Sequence, residues 1–120
     1  MTSPLQKLIG LFLLPVALAS CGITGGQLIR EGEPVGTLIV QNKSTQTLTQ
    51  ILISECGAMS YGLNRMSDGE VVEPGWERSF TVSQGCYDVM AGYGWGTGYA
   101  TASGKVQVYG GQSVRWGVSD

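Results

Sequence analysis

Turn signals recur so regularly after residue 35 that a strand-and-turn architecture is the one reading that accommodates them. Lys43-Ser44-Thr45-Gln46, Asp68-Gly69, Glu73-Pro74-Gly75-Trp76, Gly85, Ser103-Gly104 and Gly110-Gly111 divide this part of the chain into short pieces. Turns fall roughly every 8–12 residues, the spacing of a small all-β domain. The pieces between them are rich in β-branched and aromatic residues, and 19 of the 120 residues are glycine. No run keeps a helical period and no segment repeats. The predicted fold class is therefore all-β: a small antiparallel β-sandwich or flattened barrel of about 7–8 strands.

Residues 37–42 and 48–54 read as an antiparallel hairpin about the Lys43–Gln46 turn. Ile51 and Ile53 share one face and Leu48, Gln50 and Leu52 the other, as suits a strand covered on both sides. Phe80 and Val82 share a face in the next run, as do Tyr87, Val89 and Ala91 in residues 86–91. Residues 93–101 form a strand of alternating glycines and aromatics. Ser103-Gly104 turns it into residues 105–109, and Gly110-Gly111 makes a further hairpin to residues 113–118. In that last run Val114, Trp116 and Val118 face one way.

The beginning of the chain has a different character. Lys7 and the amino terminus form a short positive region, followed by an uncharged apolar run from Leu8 to Ala19. That run is about 12 residues, the length of a signal-peptide core. As a helix it would rise about 18 Å, against roughly 30 Å of membrane hydrocarbon, so it is too short to span. Pro15 would disturb its middle. The run ends in Leu18-Ala19-Ser20-Cys21, which resembles the lipobox of bacterial lipoproteins. The resemblance implies cleavage before Cys21 and lipidation of its thiol, and so a location in the cell envelope. Gly22 in place of Asp implies the outer membrane, facing the periplasm. The expected organisation is a signal peptide at 1–20, a lipidated N-terminus and flexible tether at 21–35, and a β domain at 36–120.

Removing the leader removes Lys7, which leaves six basic against nine acidic residues. A net charge near −3 argues against a nucleic-acid footprint and against an anionic-lipid surface. The chain has no histidine, which removes the commonest general base and the commonest zinc ligand. No metal and no cofactor are expected. With Cys21 lipidated, Cys56 and Cys86 remain. In an exported domain they read as one disulfide, the alternative being two buried free thiols. A closed loop of about 31 residues would stabilise the fold by roughly 3.6 kcal/mol in the chain-entropy model.

A second, looser resemblance runs from Gly36 to Ala91. Asn42-Lys43-Ser44, Tyr61-Gly62-Leu63-Asn64, Pro74-Gly75, Phe80-Thr81-Val82 and Cys86-Tyr87-Asp88 follow one another as in a group of small exported bacterial β-sandwich domains. This group carries no settled activity, so the likeness implies fold alone. Tyr61 stands where the group often has Trp.

Catalytic patterns are weak. Nucleophilic chemistry needs an adjacent base, and no spacing marks Lys43, Lys105 or a carboxylate as one. Glu70, Glu73 and Glu77 sit in turn-rich sequence and read as solvated surface. Gly94-x-Gly96-x-Gly98 lacks the Lys-Ser/Thr and the helix of a phosphate-binding loop. The chain is therefore read as a non-enzyme: a binding or structural module whose partner is an envelope protein or a glycan. The candidate surface is the row Tyr93, Trp95 and Tyr99, which packs either against a ligand or in the core. Two rival readings are an envelope hydrolase and an inhibitor of an exported enzyme. The second rests on Ala102-Ser103-Gly104, which is similar to the Ser-Gly loop of lipid-anchored lysozyme inhibitors.

Overall fold

A computed structural model describes residues 27–93 and 100–119, with backbone alone at Tyr93, Ala100 and Thr101. Among the described residues the chain is all-β, with six strands: β1 (Val35–Asn42), β2 (Gln50–Glu55), β3 (Glu77–Ser83), β4 (Gly85–Tyr93), β5 (Ala100–Val108) and β6 (Ser113–Val118). They form two three-stranded sheets, ordered β3-β1-β6 and β2-β4-β5. The two sheets share one core in a sandwich-like arrangement. Leu38, Val40, Phe80, Val82 and Val118 enter it from the first sheet. Ile51, Ile53, Tyr87, Val89, Ala91, Val106 and Val108 enter from the second, and Leu48, Met66 and Val72 plug it from the connections.

Among the described residues the strands number six, not 7–8, and β5 runs unbroken from Ala100 to Val108 across the expected turn. Ser103-Gly104 is not a turn: β5 runs through it without interruption. The sheets are not purely antiparallel either. β1 pairs antiparallel with β3 but parallel with β6, with Val40 opposite both Arg78 and Trp116.

The expected β1–β2 hairpin is absent, since the two strands lie in different sheets. The same holds for Gly110-Gly111, which turns the chain from β5 in one sheet to β6 in the other. Of the connections between successive strands, β4–β5 alone stays within a sheet. The tightest crossing is from β3 to β4, through Gln84 alone. Gly85 takes φ 152° there, a conformation that a residue with a Cβ rarely adopts.

Asn42 shapes the first crossing. It is fully buried at the end of β1. Its Nδ2 donates to the carbonyls of Gln46 (2.7 Å) and Val72 (2.8 Å). Its Oδ1 accepts from the Ser44 backbone N–H (2.9 Å) and the Ser44 hydroxyl (2.6 Å). Its own backbone N–H donates to Trp76 O, and its carbonyl accepts from Gly75 N–H. One side chain thus folds residues 43–47 into an arch and fixes the Pro74-Gly75 turn beneath it.

The folded body begins earlier than residue 36. Ser83 N–H donates to Leu28 O (2.7 Å), Arg30 N–H to Ser83 Oγ (2.7 Å) and Gln84 N–H to Pro34 O (2.8 Å). Leu28 packs on the core. The Arg30 guanidinium pairs with Glu33 and Glu55 and donates to Gln84 O at 2.9 Å. Residues 28–34, expected in a free tether, are held by these bonds.

Replacing Asn42 leaves several buried backbone groups without partners, each worth about 1–3 kcal/mol. Asn42→Ala is therefore expected to lose about 3 kcal/mol, read as a fall of roughly 3 M in the urea midpoint for a domain with m near 1 kcal/mol/M. A loss below about 1 kcal/mol would show that the arch closes without it.

Candidate functional site

Alternate residues of a strand send their backbone groups to opposite sides, so one known bond sets the phase of a sheet. Cys56 N–H donates to Cys86 O at 3.0 Å, just past the β2–β4 pair Glu55–Tyr87. Ser54, Leu52 and Gln50 therefore bond to β4, while Ile51 and Ile53 face the open side of β2. That side is covered. Asn64 Oδ1 accepts from Ile51 N–H (2.9 Å), Arg65 N–H donates to Ile51 O (2.7 Å), and the Arg65 guanidinium donates to Ile53 O. Burial lowers the Arg65 pKa from its ordinary value.

The same phase carried across β4 sets β5. Tyr87, Val89 and Ala91 bond to Val106, Gly104 and Ala102. Ser103, Lys105 and Gln107 therefore aim their backbone N–H and C=O groups away from the sheet. Among the described residues, these groups meet no backbone partner. β5 is nine residues long, without proline or bulge, and the side chains at these three positions are exposed. Strand edges of this kind are templates for an added strand.

β6 runs beside β5 on the same flank. The Trp116 indole closes the gap between the sheets by lying on Gly104, where a Cβ would sit 2.5 Å from Trp116 Nε1. Glycine is thus required by close approach of the ring, which explains a glycine inside a strand. The opposite flank is better protected. Leu28 O meets Ser83 on the β3 edge, and the Arg78 guanidinium donates to Ser79 O at 2.5 Å and stacks 4.6 Å over Phe80.

The expected site residues fall at the end of this flank or beyond the described part. Tyr93 and Ala100 are cross-strand partners. Tyr93 thus ends β4 and Ala100 begins β5, and most of the expected glycine-aromatic strand, residues 94–99, lies outside the described residues. Trp95 and Tyr99 lie outside the described residues, as does Cys21. Cys56 and Cys86 form the expected disulfide, with Cα atoms 5.4 Å apart. Among the described residues no three His, Cys, Asp or Glu side chains gather as for a metal, and no helix is long and apolar enough to cross a membrane.

The sequence did carry a signal for the β5 edge. Thr101, Ser103, Lys105 and Gln107 alternate with Ala102, Gly104, Val106 and Val108, a clean period of two. Reading Ser-Gly as a turn hid it.

At the base of the second sheet, Tyr87 is fully buried and donates from its hydroxyl to Ser83 O at 2.5 Å. Burial raises its pKa, against the opposing pull of the Arg30 guanidinium. Glu70 is held below the usual carboxylate range by the Ser67 backbone N–H and by Arg78.

Gly104→Val drives a side chain into the Trp116 ring, and overpacking of this kind costs about 1–3 kcal/mol. A urea melt of Gly104→Val is expected to fall by that amount, and an unchanged melt would mean that the flank opens freely.

No family model matches the chain, and neither a curated protein nor a solved structure does.

Proposed function

We propose that this chain is a lipid-anchored envelope lipoprotein whose β domain is a non-enzymatic binding module on the periplasmic face of the outer membrane. Its ligand is an extended segment of another envelope protein, added as a strand along β5. The observation that carries the reading is the β5 edge, whose outward donors and acceptors meet no backbone partner among the described residues: they match a polypeptide backbone, where a glycan would call for aromatic faces. The anchor rests on Leu18-Ala19-Ser20-Cys21. The Cys56–Cys86 bond supports an oxidising compartment. With residues 28–34 docked, six residues (22–27) separate the anchor from the body. Their full reach is about 20 Å, so the module works close to the lipid surface.

Two measurements test this. Metabolic labelling with a clickable palmitate analogue is expected to mark the parent and not Cys21→Ser; equal label on both would remove the anchor. A photo-crosslinking residue at Gln107 is expected to capture a polypeptide in intact cells. Ser103→Pro removes one outward N–H while leaving the bonds to β4 intact. It is expected to weaken that capture about tenfold, the equivalent of roughly one main-chain hydrogen bond. Capture unchanged by Ser103→Pro would rule out strand addition.

A further inference from the structure

The outer face of the β2-β4-β5 sheet is electrically lopsided around its disulfide. Cys56 and Cys86 are both half-buried rather than sealed in the core. Lys105, on β5, has a side chain 63% exposed, and its Nζ lies 3.6 Å from Cys56 Sγ and 2.9 Å from Asp88 Oδ1. The register produces this grouping. Asp88 is the cross-strand partner of Lys105 and lies two residues beyond Cys86 on the same face of β4, while Cys86 itself faces the uncharged Gln107. The other nearby acid, Glu55, is engaged by Arg30. One sulfur therefore has an ammonium beside it, and the other has a carboxylate two residues along its strand.

We propose that the Cys56–Cys86 bond is a thiol-exchange site with a fixed polarity, open to small-molecule thiolates. The incoming thiolate attacks Cys86 Sγ and forms a mixed disulfide there. The electron pair of the broken S–S bond leaves on Cys56 as a thiolate. One disulfide and one thiolate enter and one of each leave, so no outside oxidant or reductant is needed. A second thiolate attacking the mixed disulfide releases Cys86 and the oxidised small molecule.

The polarity follows from leaving-group chemistry. Exchange is faster when the departing thiol has the lower pKa, and a neighbouring lysine lowers it. The Lys105 ammonium stabilises charge arriving on Cys56, whereas Asp88 opposes charge on Cys86. Because Lys105 is exposed, added salt screens the effect.

The experiment is a brief pulse of reduced glutathione on the oxidised, folded full-length protein, followed by acid quench, alkylation and peptide mapping. Glutathione is expected on Cys86 and the alkyl group on Cys56, with the reverse product about threefold rarer. Lys105→Met, at an exposed position, is expected to slow exchange about threefold and reduce the preference to what Asp88 alone supplies, while Lys105→Arg retains both the rate and the preference. High salt is expected to slow the parent and to produce no such slowing in Lys105→Met. Equal labelling of the two sulfurs, Lys105→Met exchanging at the parental rate, or reaction of native protein with neither sulfur would each overturn the proposal.

Discussion

Asn42 is the hub of the connections that join the two sheets at one end. The residue is wholly buried, and its side chain and backbone together bind Gln46, Val72, Ser44, Gly75 and Trp76. A buried amide is tolerable only when its donors and acceptors are met, and here they are. The energetic consequence is specificity more than bulk stability. Hydrophobic burial would accept many paths from β1 to β2, but the amide accepts the path in which residues 43–47 arch over it. Leu48 then arrives fully buried at the start of the second sheet, and its N–H donates to Val72 O. Apolar packing and the polar hub therefore select the same arrangement.

Much of the fold was legible in the sequence, and the failures share a physical cause. Alternation groups Phe80 with Val82, and Tyr87 with Val89 and Ala91, on shared faces, and both groups are buried, because a period of two with one buried face leaves little freedom. The Asp68-Gly69 and Pro74-Gly75 turns are present, closed by Glu70 N–H to Ser67 O and Trp76 N–H to Glu73 O. What turn chemistry does not encode is which sheet the chain enters next. Lys43–Gln46 and Gly110-Gly111 have the residues of hairpins, yet both carry the chain across the sandwich. Ser103-Gly104 has turn composition, yet its glycine answers to an indole more than ten residues away in sequence. Pairings such as Asn42 with Val72, or Gly104 with Trp116, depend on tertiary placement and leave no local mark.

The candidate site shows the same division. The disulfide partners could be inferred by counting cysteines, but the role of Lys105 depends on its being carried by β5 to a point near Cys56, 49 residues away in sequence. Protection of the strand edges is also unequal. β2 is covered by Asn64 and Arg65, whose groups stand in for a neighbouring strand. That cover comes from the loop that follows the disulfide. β5 has no comparable loop among the described residues, since its outward side lies beyond the last strand of its sheet. The asymmetry is a property of the topology, and it concentrates the unmet backbone groups of this sheet on one flank.

The parallel pairing of β1 with β6 has a consequence for how the molecule is made. β1 is the middle strand of its sheet, and one of its two sides pairs with residues 113–118, with Gly111 and Gln112 bonding its first residues. Those residues are made after the other five described strands. Until they arrive, the backbone groups of Thr37, Ile39 and Gln41 have no strand partner on that side, and the first sheet has two strands, which is marginal on its own. The β2-β4-β5 sheet has local β4–β5 pairing and is free to form sooner. Closing a loop from β1 to β6 is an entropically expensive, late event. The first sheet therefore stays two-stranded, with its middle strand exposed along one side, until β6 has been synthesised.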